Sequence, residues 1–156
     1  MPDMIIRRYE ARDYDDVWRL HLEGVRQTRT IAPALPGYDD DLRDIECNYL
    51  AAGSNFWVVE IADGLVGMTA LQRVDDRSGR LRRMRVTTES RRQGIARALL
   101  DVAVEFSRAN GYDNMILDTT EQQTDAHRLY ERYGFTRTGE RMLGPFRVFD
   151  YEMPLR

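Results

Sequence analysis

The stretch Val86-Thr87-Thr88-Glu89-Ser90-Arg91-Arg92-Gln93-Gly94-Ile95-Ala96-Arg97 lies where strand-forming residues give way to the strongest helical pattern in the chain. From Gly94 onward, Ile95, Leu99, Val102, Ala103 and Phe106 recur at helical spacing, while Arg97, Asp101, Glu105 and Arg108 mark the opposite face. A helix start leaves main-chain N–H groups unpaired and carries partial positive charge, so it suits a phosphate. Gly94 has no Cβ to hold an anion away from the main chain, and small Ala96 keeps the next turn clear. Arg91, Arg92 and Arg97 add charge. The plainer alternative is a tight strand-to-helix turn beneath solvated arginines. The stretch lacks both the glycine spacing of a dinucleotide fingerprint and the lysine of a nucleotide-triphosphate loop, so another phosphorylated ligand is implied.

Working outward, residues 4–8 read as a first strand and Asp13 as the N-cap of a helix through about residue 29, with Tyr14, Val17, Trp18, His21 and Val25 on its stripe. A loop with Pro33, Pro36 and Gly37 follows, then a short helix around Leu42, Ile45 and Tyr49. Runs 56–62 and 65–73 are strand-like and joined by Asp63-Gly64, which predicts a tight hairpin turn, and a third strand spans 80–87. After the helix from Gly94 come a buried strand at 115–119, a helix with Ala126, Leu129, Tyr130 and Tyr133 on its stripe and Gly134 as its stop, and two closing strands near 135–141 and 147–153. This order predicts an α+β fold with a mixed, mostly antiparallel central sheet flanked by helices.

The chain has 156 residues, 42% hydrophobic and 31% charged, the mixture of an ordinary single globular domain. The net charge of −3 argues against a broad nucleic-acid surface, leaving local basic clusters for compact anions. No segment has the length to span a bilayer and none reads as a secretory signal, so a cytoplasmic protein without membrane contact is expected. Cys47 alone makes no internal disulfide and is expected as a buried helix residue. With only His21 and His127 beside it, a metal cage is not expected.

Arg91-x-x-Gly94-x-Ala96 after a strand resembles the acyl-coenzyme A (acyl-CoA) signature of the GNAT superfamily of N-acetyltransferases. Ala126-His-Arg-Leu129-Tyr130-Glu-Arg-Tyr133-Gly134-Phe135 resembles that family's second signature, in order and at its spacing, and the order of elements is similar from end to end. The resemblance implies one GNAT domain over residues 1–156 with acetyl-CoA as cosubstrate. It implies that main-chain amides from Gln93 through Gly94, Ile95 and Ala96 to Arg97, flanked by Arg91 and Arg92, hold the pyrophosphate. The strand edge from Met84 to Val86 would pair with the pantetheine arm, the Val86 N–H would face the thioester carbonyl, and Ala126 would border the cofactor. Tyr130 stands where the family places its acid. Gln123 departs from an asparagine common among relatives, so its cofactor contact is altered.

The arginine-rich start of the third strand departs from relatives that carry a glutamate there to deprotonate the amine. The base is therefore left among Glu60, Asp118 and His21. Three functions remain: direct acetylation of a small-molecule primary amine, which is favoured; acetylation of a protein N-terminus or lysine; and a non-catalytic acyl-CoA sensor. The 28–41 loop suits a cover over a small pocket, and homodimerisation is left open. Arg80, Arg82, Arg83 and Arg85 suggest an anionic acceptor, although strict strand alternation would let no more than two of them reach one site.

Overall fold

The computed structural model describes residues 3–28 and 37–156. Pro33, Pro36 and most of the expected covering loop lie outside them. In chain order the described residues form β1 (Met4–Arg8), a 3-10 turn (Ala11–Asp13), α1 (Tyr14–Thr28), α2 (Asp40–Arg43), α3 (Ile45–Tyr49), β2 (Asn55–Ile61), β3 (Gly64–Arg73) and β4 (Ser78–Val86). A second 3-10 turn (Thr88–Ser90) leads to α4 (Ile95–Ala109), β5 (Asn114–Thr120), α5 (Thr124–Tyr133), β6 (Thr136–Leu143) and β7 (Phe146–Pro154). The strands make one sheet in the order β1-β2-β3-β4-β5-β7-β6. Every neighbouring pair is antiparallel except β4 and β5, which are parallel. A parallel pair needs a crossover, and α4 supplies it. The α+β class and mixed sheet expected from the sequence are observed.

The sheet separates two apolar cores. On one face Val17 and Leu20 of α1, Leu42 of α2, and Ile45 and Tyr49 of α3 pack on Phe56, Val58, Met68 and Ala70. On the other, Ile95, Leu99, Leu100, Ala103 and Val104 of α4 and Tyr130 of α5 pack on Trp57, Val59, Leu71, Leu81, Met115, Leu117 and Tyr151. The alternation Phe56/Val58 against Trp57/Val59 shows why β2 reads as one apolar run: it is covered on both sides. The buried stripe of α4 sits slightly round from the expected one, since Leu100 and Val104 are buried while Val102 and Phe106 lie at the rim. Phe106 meets Trp57 edge-on there, with ring centroids 5.3 Å apart.

Three local expectations are corrected. Cys47 is exposed, because α3 is one short turn whose Ile45 and Tyr49, at i and i+4, take the core side. Asp13 closes the 3-10 turn, its carboxylate accepting from the Glu10 N–H at 2.8 Å and pairing with Arg7 at 2.8 Å. The hairpin between β2 and β3 turns on Ala62 and Asp63, with φ of 49° and 68°, because Ile61 already pairs with Gly64. Ala62 thus holds a left-handed conformation that disfavours most L-residues and that asparagine tolerates. Ala62→Asn should raise stability by about 0.5 kcal/mol, or roughly 1–2 °C in a chain of this size, measured by thermal melting. An unchanged or lower melting temperature would mean the turn is not strained by alanine.

Candidate active site

β4 and β5 pair only at Ser78–Asn114, Gly79–Met115 and Arg80–Ile116, and beyond that they diverge. The divergence has a local cause. Across β3 and β4, Ala70 pairs with Arg82 but Met68 with Arg85, so Arg83 and Met84 both stand opposite Thr69. Arg83 has φ of 59°, and the Thr69 hydroxyl donates to the Arg82 carbonyl at 3.1 Å. Such a bulge bends and twists its strand, here away from β5. The gap opens a cavity of about 110 Å3 lined by residues 81–85 of β4, 117–120 of β5, Gln123, Ala126, Leu129 and Tyr130 near and on α5, and His21, Val25 and Tyr38 opposite.

The bulge also resets which way the side chains of β4 point. Arg82 lies 3.7 Å from Asp41, and Arg83 clasps the same carboxylate, its Nε donating to Oδ2 at 2.9 Å. Arg83 also donates to the Tyr38 carbonyl at 2.8 Å and is only 5% exposed. Arg85 lies across Gly24 of α1, where a Cβ would stand 2.6 Å from its Nε. Leu81, Met84 and Val86 turn to the α4 side instead. The expectation that alternation divides the arginines between faces is therefore wrong: three reach the α1–α2 side together, and Arg80 shares the parity of Arg82. Burial alone would raise the Asp41 carboxyl, but the hydrogen bonds and charge of Arg83, with Arg82, hold it below its ordinary value.

At the far end of β4 the Thr87 N–H donates to the Val66 carbonyl at 2.8 Å. Val86, opposite Gly67, is thus in a non-hydrogen-bonded pair, and its N–H and C=O point away from β3 into the gap. Alternation gives Met84 the same orientation. At the mouth, Arg92 and Gly94 take left-handed φ of 63° and 79°. The first N–H of α4 with a helical acceptor is that of Ala98, on the Gly94 carbonyl at 3.0 Å, which leaves Ile95, Ala96 and Arg97 as the orphan donors of the helix start. A Cβ on Gly94 would meet nothing within 4 Å, so the approach is open. Arg91, Arg92, Gln93 and Arg97 are exposed there, while Ile95 is buried and offers only its main chain.

Of the expected site residues, Met84, Gln123, Ala126 and Tyr130 line the cavity, and Val86 with residues 91–97 forms a second station at the mouth. The Gln123 side-chain Oε1 accepts from the Thr120 N–H at 3.0 Å, so it braces the turn between β5 and α5. Tyr130 packs edge-on against Phe135 at 5.7 Å, and burial pushes its phenol well above the ordinary value, with Arg85 partly offsetting. Among the base candidates, Glu60 pairs with Arg7 at 3.2 Å and does not line the cavity. Asp118 lines it but is held by Arg141 at 2.6 Å. His21 lines it too, its Nε2 2.9 Å from Asp39. Because that carboxylate accepts, Nε2 carries the proton and Nδ1 keeps a buried, unpartnered lone pair. Sequence reasoning placed the 28–41 segment over a pocket without singling out Tyr38, Asp39 or Asp41, and it missed the role of Gly24, whose place inside a helix was the available signal.

The fold is thus a mostly antiparallel sheet split between its two parallel strands, with an open helix N-terminus beyond the split. The chain belongs to the Acetyltransferase (GNAT) family, which residues 15–135 match. It is 44% identical over 116 residues to N-acetylaspartate synthetase of Danio rerio, covering 73% of this chain and 39% of that protein. It is 42% identical over 106 residues to N-acetyltransferase 8 of Homo sapiens, covering 64% and 47%. The chain thus spans less than half the length of these relatives. In fold it is similar to an acetyltransferase of the GNAT family from Staphylococcus aureus Mu50, with a TM-score of 0.89 at 23% identity over 99% of this chain and 100% of that one. It is also similar to yncA of Salmonella typhimurium, solved with its cofactor acetyl-CoA, with a TM-score of 0.80 at 20% identity over 99% and 95%.

His21 titrates in a way that tests the cleft wall. Burial lowers its pKa from 6.5 to about 4, with Arg85 and Arg83 adding to the fall and Asp39 opposing it. The unfolded chain then binds more protons than the folded one between pH 6.5 and about 4, so stability contributed by neutral His21 is lost as pH falls through that window. The loss is of the order of 3 kcal/mol. Denaturant melts at stepped pH should show this slope in the parent and a flatter one in His21→Gln; equal slopes would place the titration elsewhere.

Proposed function

We propose that this chain transfers an acetyl group from acetyl-CoA to the primary amine of a small molecule, by direct attack with both substrates bound. The observation that supports this best is the gap between β4 and β5, with unpaired amides at its mouth and Tyr130 on its wall. The residues fit a coenzyme A thioester. The open approach at Gly94 and the orphan N–H groups of Ile95, Ala96 and Arg97 suit a pyrophosphate, with Arg91, Arg92 and Gln93 alongside. The inward-facing main chain of Met84 and Val86 offers a ladder edge to an extended amide-bearing arm, and Ala126 leaves room beside it.

Acetyl-CoA supplies the acetyl group as an activated thioester. The Val86 N–H is a fixed donor where the carbonyl oxygen gathers negative charge as nitrogen attacks. The new C–N bond forms as the C–S bond breaks, and Tyr130 holds the proton that the departing sulfur takes. Its raised pKa keeps the phenol protonated throughout the physiological range. The proton released by the amine has two titratable acceptors among the described lining residues, Nδ1 of His21 and the carboxylate of Asp118. A small acceptor is supported by the name of one relative, N-acetylaspartate synthetase.

The test is calorimetric titration with acetyl-CoA, together with thiol release over a panel of primary amines and N-terminal peptides. Turnover of peptides alone would move the acceptor class to proteins, and binding without turnover would make the chain a sensor. Gly94→Leu should stay folded, losing about 1–2 kcal/mol to the strain of φ 79°, while its affinity for acetyl-CoA falls at least tenfold. Unchanged affinity in that folded variant would remove the phosphate site from the helix start. Tyr130→Phe keeps the ring and its packing, and kcat should fall by roughly a hundredfold with acetyl-CoA affinity nearly constant. Near-parental turnover with chemistry rate-limiting would make Tyr130 structural.

A further inference from the structure

We infer that Arg85 is the acceptor's anchor and that the preferred acceptor is an amine bearing a carboxylate, held by this guanidinium on the α1 side of the cleft. The inference rests on the acetyltransferase reading above and names its substrate class.

The argument begins with charge. The α1–α2 side of the cleft wall carries three guanidinium groups, Arg82, Arg83 and Arg85, against two carboxylates, Asp39 and Asp41. Asp41 is bound by Arg83 and approached by Arg82, and Asp39 lies between His21 at 2.9 Å and Arg83 at 3.7 Å. Among the described residues no ion pair or hydrogen bond reaches Arg85, and its Nε is buried without an acceptor. Arg85 is half-buried and lines the cleft, so it presents a guanidinium to that space with no carboxylate of the described residues bound to it. The fold even makes room for it: Gly24 sits mid-helix, where glycine costs about 1 kcal/mol relative to alanine, and any Cβ there would collide with the Cδ and Nε of Arg85. A planar fork of donors facing a small cavity is the chemistry that grips a carboxylate in bidentate fashion.

Position assigns the anion to the acceptor. The main chain of Val86, with which an acetyl thioester would pair, opens into the gap, and the helix start that suits its pyrophosphate lies beyond Thr87 at the mouth. The Arg85 side chain leaves β4 on the opposite face, over α1, alongside His21 and Tyr38. Among its electrostatic neighbours are Arg83 and Asp39, already engaged with each other, and the two phenols Tyr38 and Tyr130. An amine whose carboxylate rests on Arg85 therefore approaches the thioester from the α1 side while the cofactor occupies the β4 edge.

The experiment compares L-amino acids with their decarboxylated amines as acceptors, for the full chain and for Arg85→Met and Arg85→Lys, with acetyl-CoA affinity and melting temperature measured on the same preparations. Carboxylate-bearing acceptors should lead by at least tenfold in kcat/KM. In Arg85→Met the ratio between the two sets should collapse to near one, and Arg85→Lys should recover part of it. Melting temperature should hold in Arg85→Met, since no ion pair or hydrogen bond of the described residues is lost, and acetyl-CoA affinity should stay within about twofold. If the parent fails to bind acetyl-CoA, the acetyltransferase reading falls and this inference with it. If acetyl-CoA binds and no carboxylate-bearing amine is turned over, or both sets serve equally, the inference alone is overturned. A drop in acetyl-CoA affinity with an unchanged acceptor ratio would likewise overturn it, by assigning Arg85 to the cofactor.

Discussion

One extra residue in β4 sets the shape of the cleft. Arginine in a left-handed conformation costs roughly 1–2 kcal/mol, and an unsupported bulge would relax toward regular pairing with β3. It is held because the Arg83 guanidinium finds the Asp41 carboxylate and the Tyr38 carbonyl together, in charge-assisted bonds stronger than neutral ones. Asp41 is positioned in turn by α2, which Leu42 fixes in the core, and its carboxylate also accepts from the Tyr49 hydroxyl of α3. The ion pair therefore ties the helical layer to the strand that must stay open. Without the bulge, β4 and β5 would have no evident cause to part after three residue pairs.

The same bulge divides the labour of the two faces. Regular alternation would have put a guanidinium into the apolar packing under α4 for every one offered to α1. With the parity reset, Leu81, Met84 and Val86 complete one core while the arginines line a polar wall on the other side. The main chain between these two environments is what faces the gap. A cleft with an apolar side, a cationic side and a backbone edge between them can receive two chemically different molecules without either crossing the other's path.

The order and type of the regular elements were legible because periodicity reports burial, and each strand and long helix lies where its pattern indicated. The helix start at Gly94 followed from spacing and from the two motifs, whereas the order of strands across the sheet was not read from the sequence. Turns at Ala62-Asp63 and the orientation of Cys47 were less legible, since a one-residue shift in a hairpin, or the face of a five-residue helix, leaves little trace in composition. The cleft wall was legible only in part. Four arginines in one strand drew notice, but reading their direction needed the bulge, and a bulge built on arginine with threonine opposite has no glycine to announce it. Asp39 and Asp41 come from a segment remote in sequence, so only folding brings them to β4.

That wall is made of arginine in a chain that contains no lysine at all. A guanidinium stays protonated at every pH the protein meets and is a poor nucleophile, whereas a lysine beside a thioester becomes a competing acceptor whenever it loses its proton. In the proposed reaction, positive charge could thus be packed around the thioester carbon without offering it a lysine amine. On the proposed reading, such a wall would draw in an anion without holding a lysine amine that could take the acetyl group in the substrate's place.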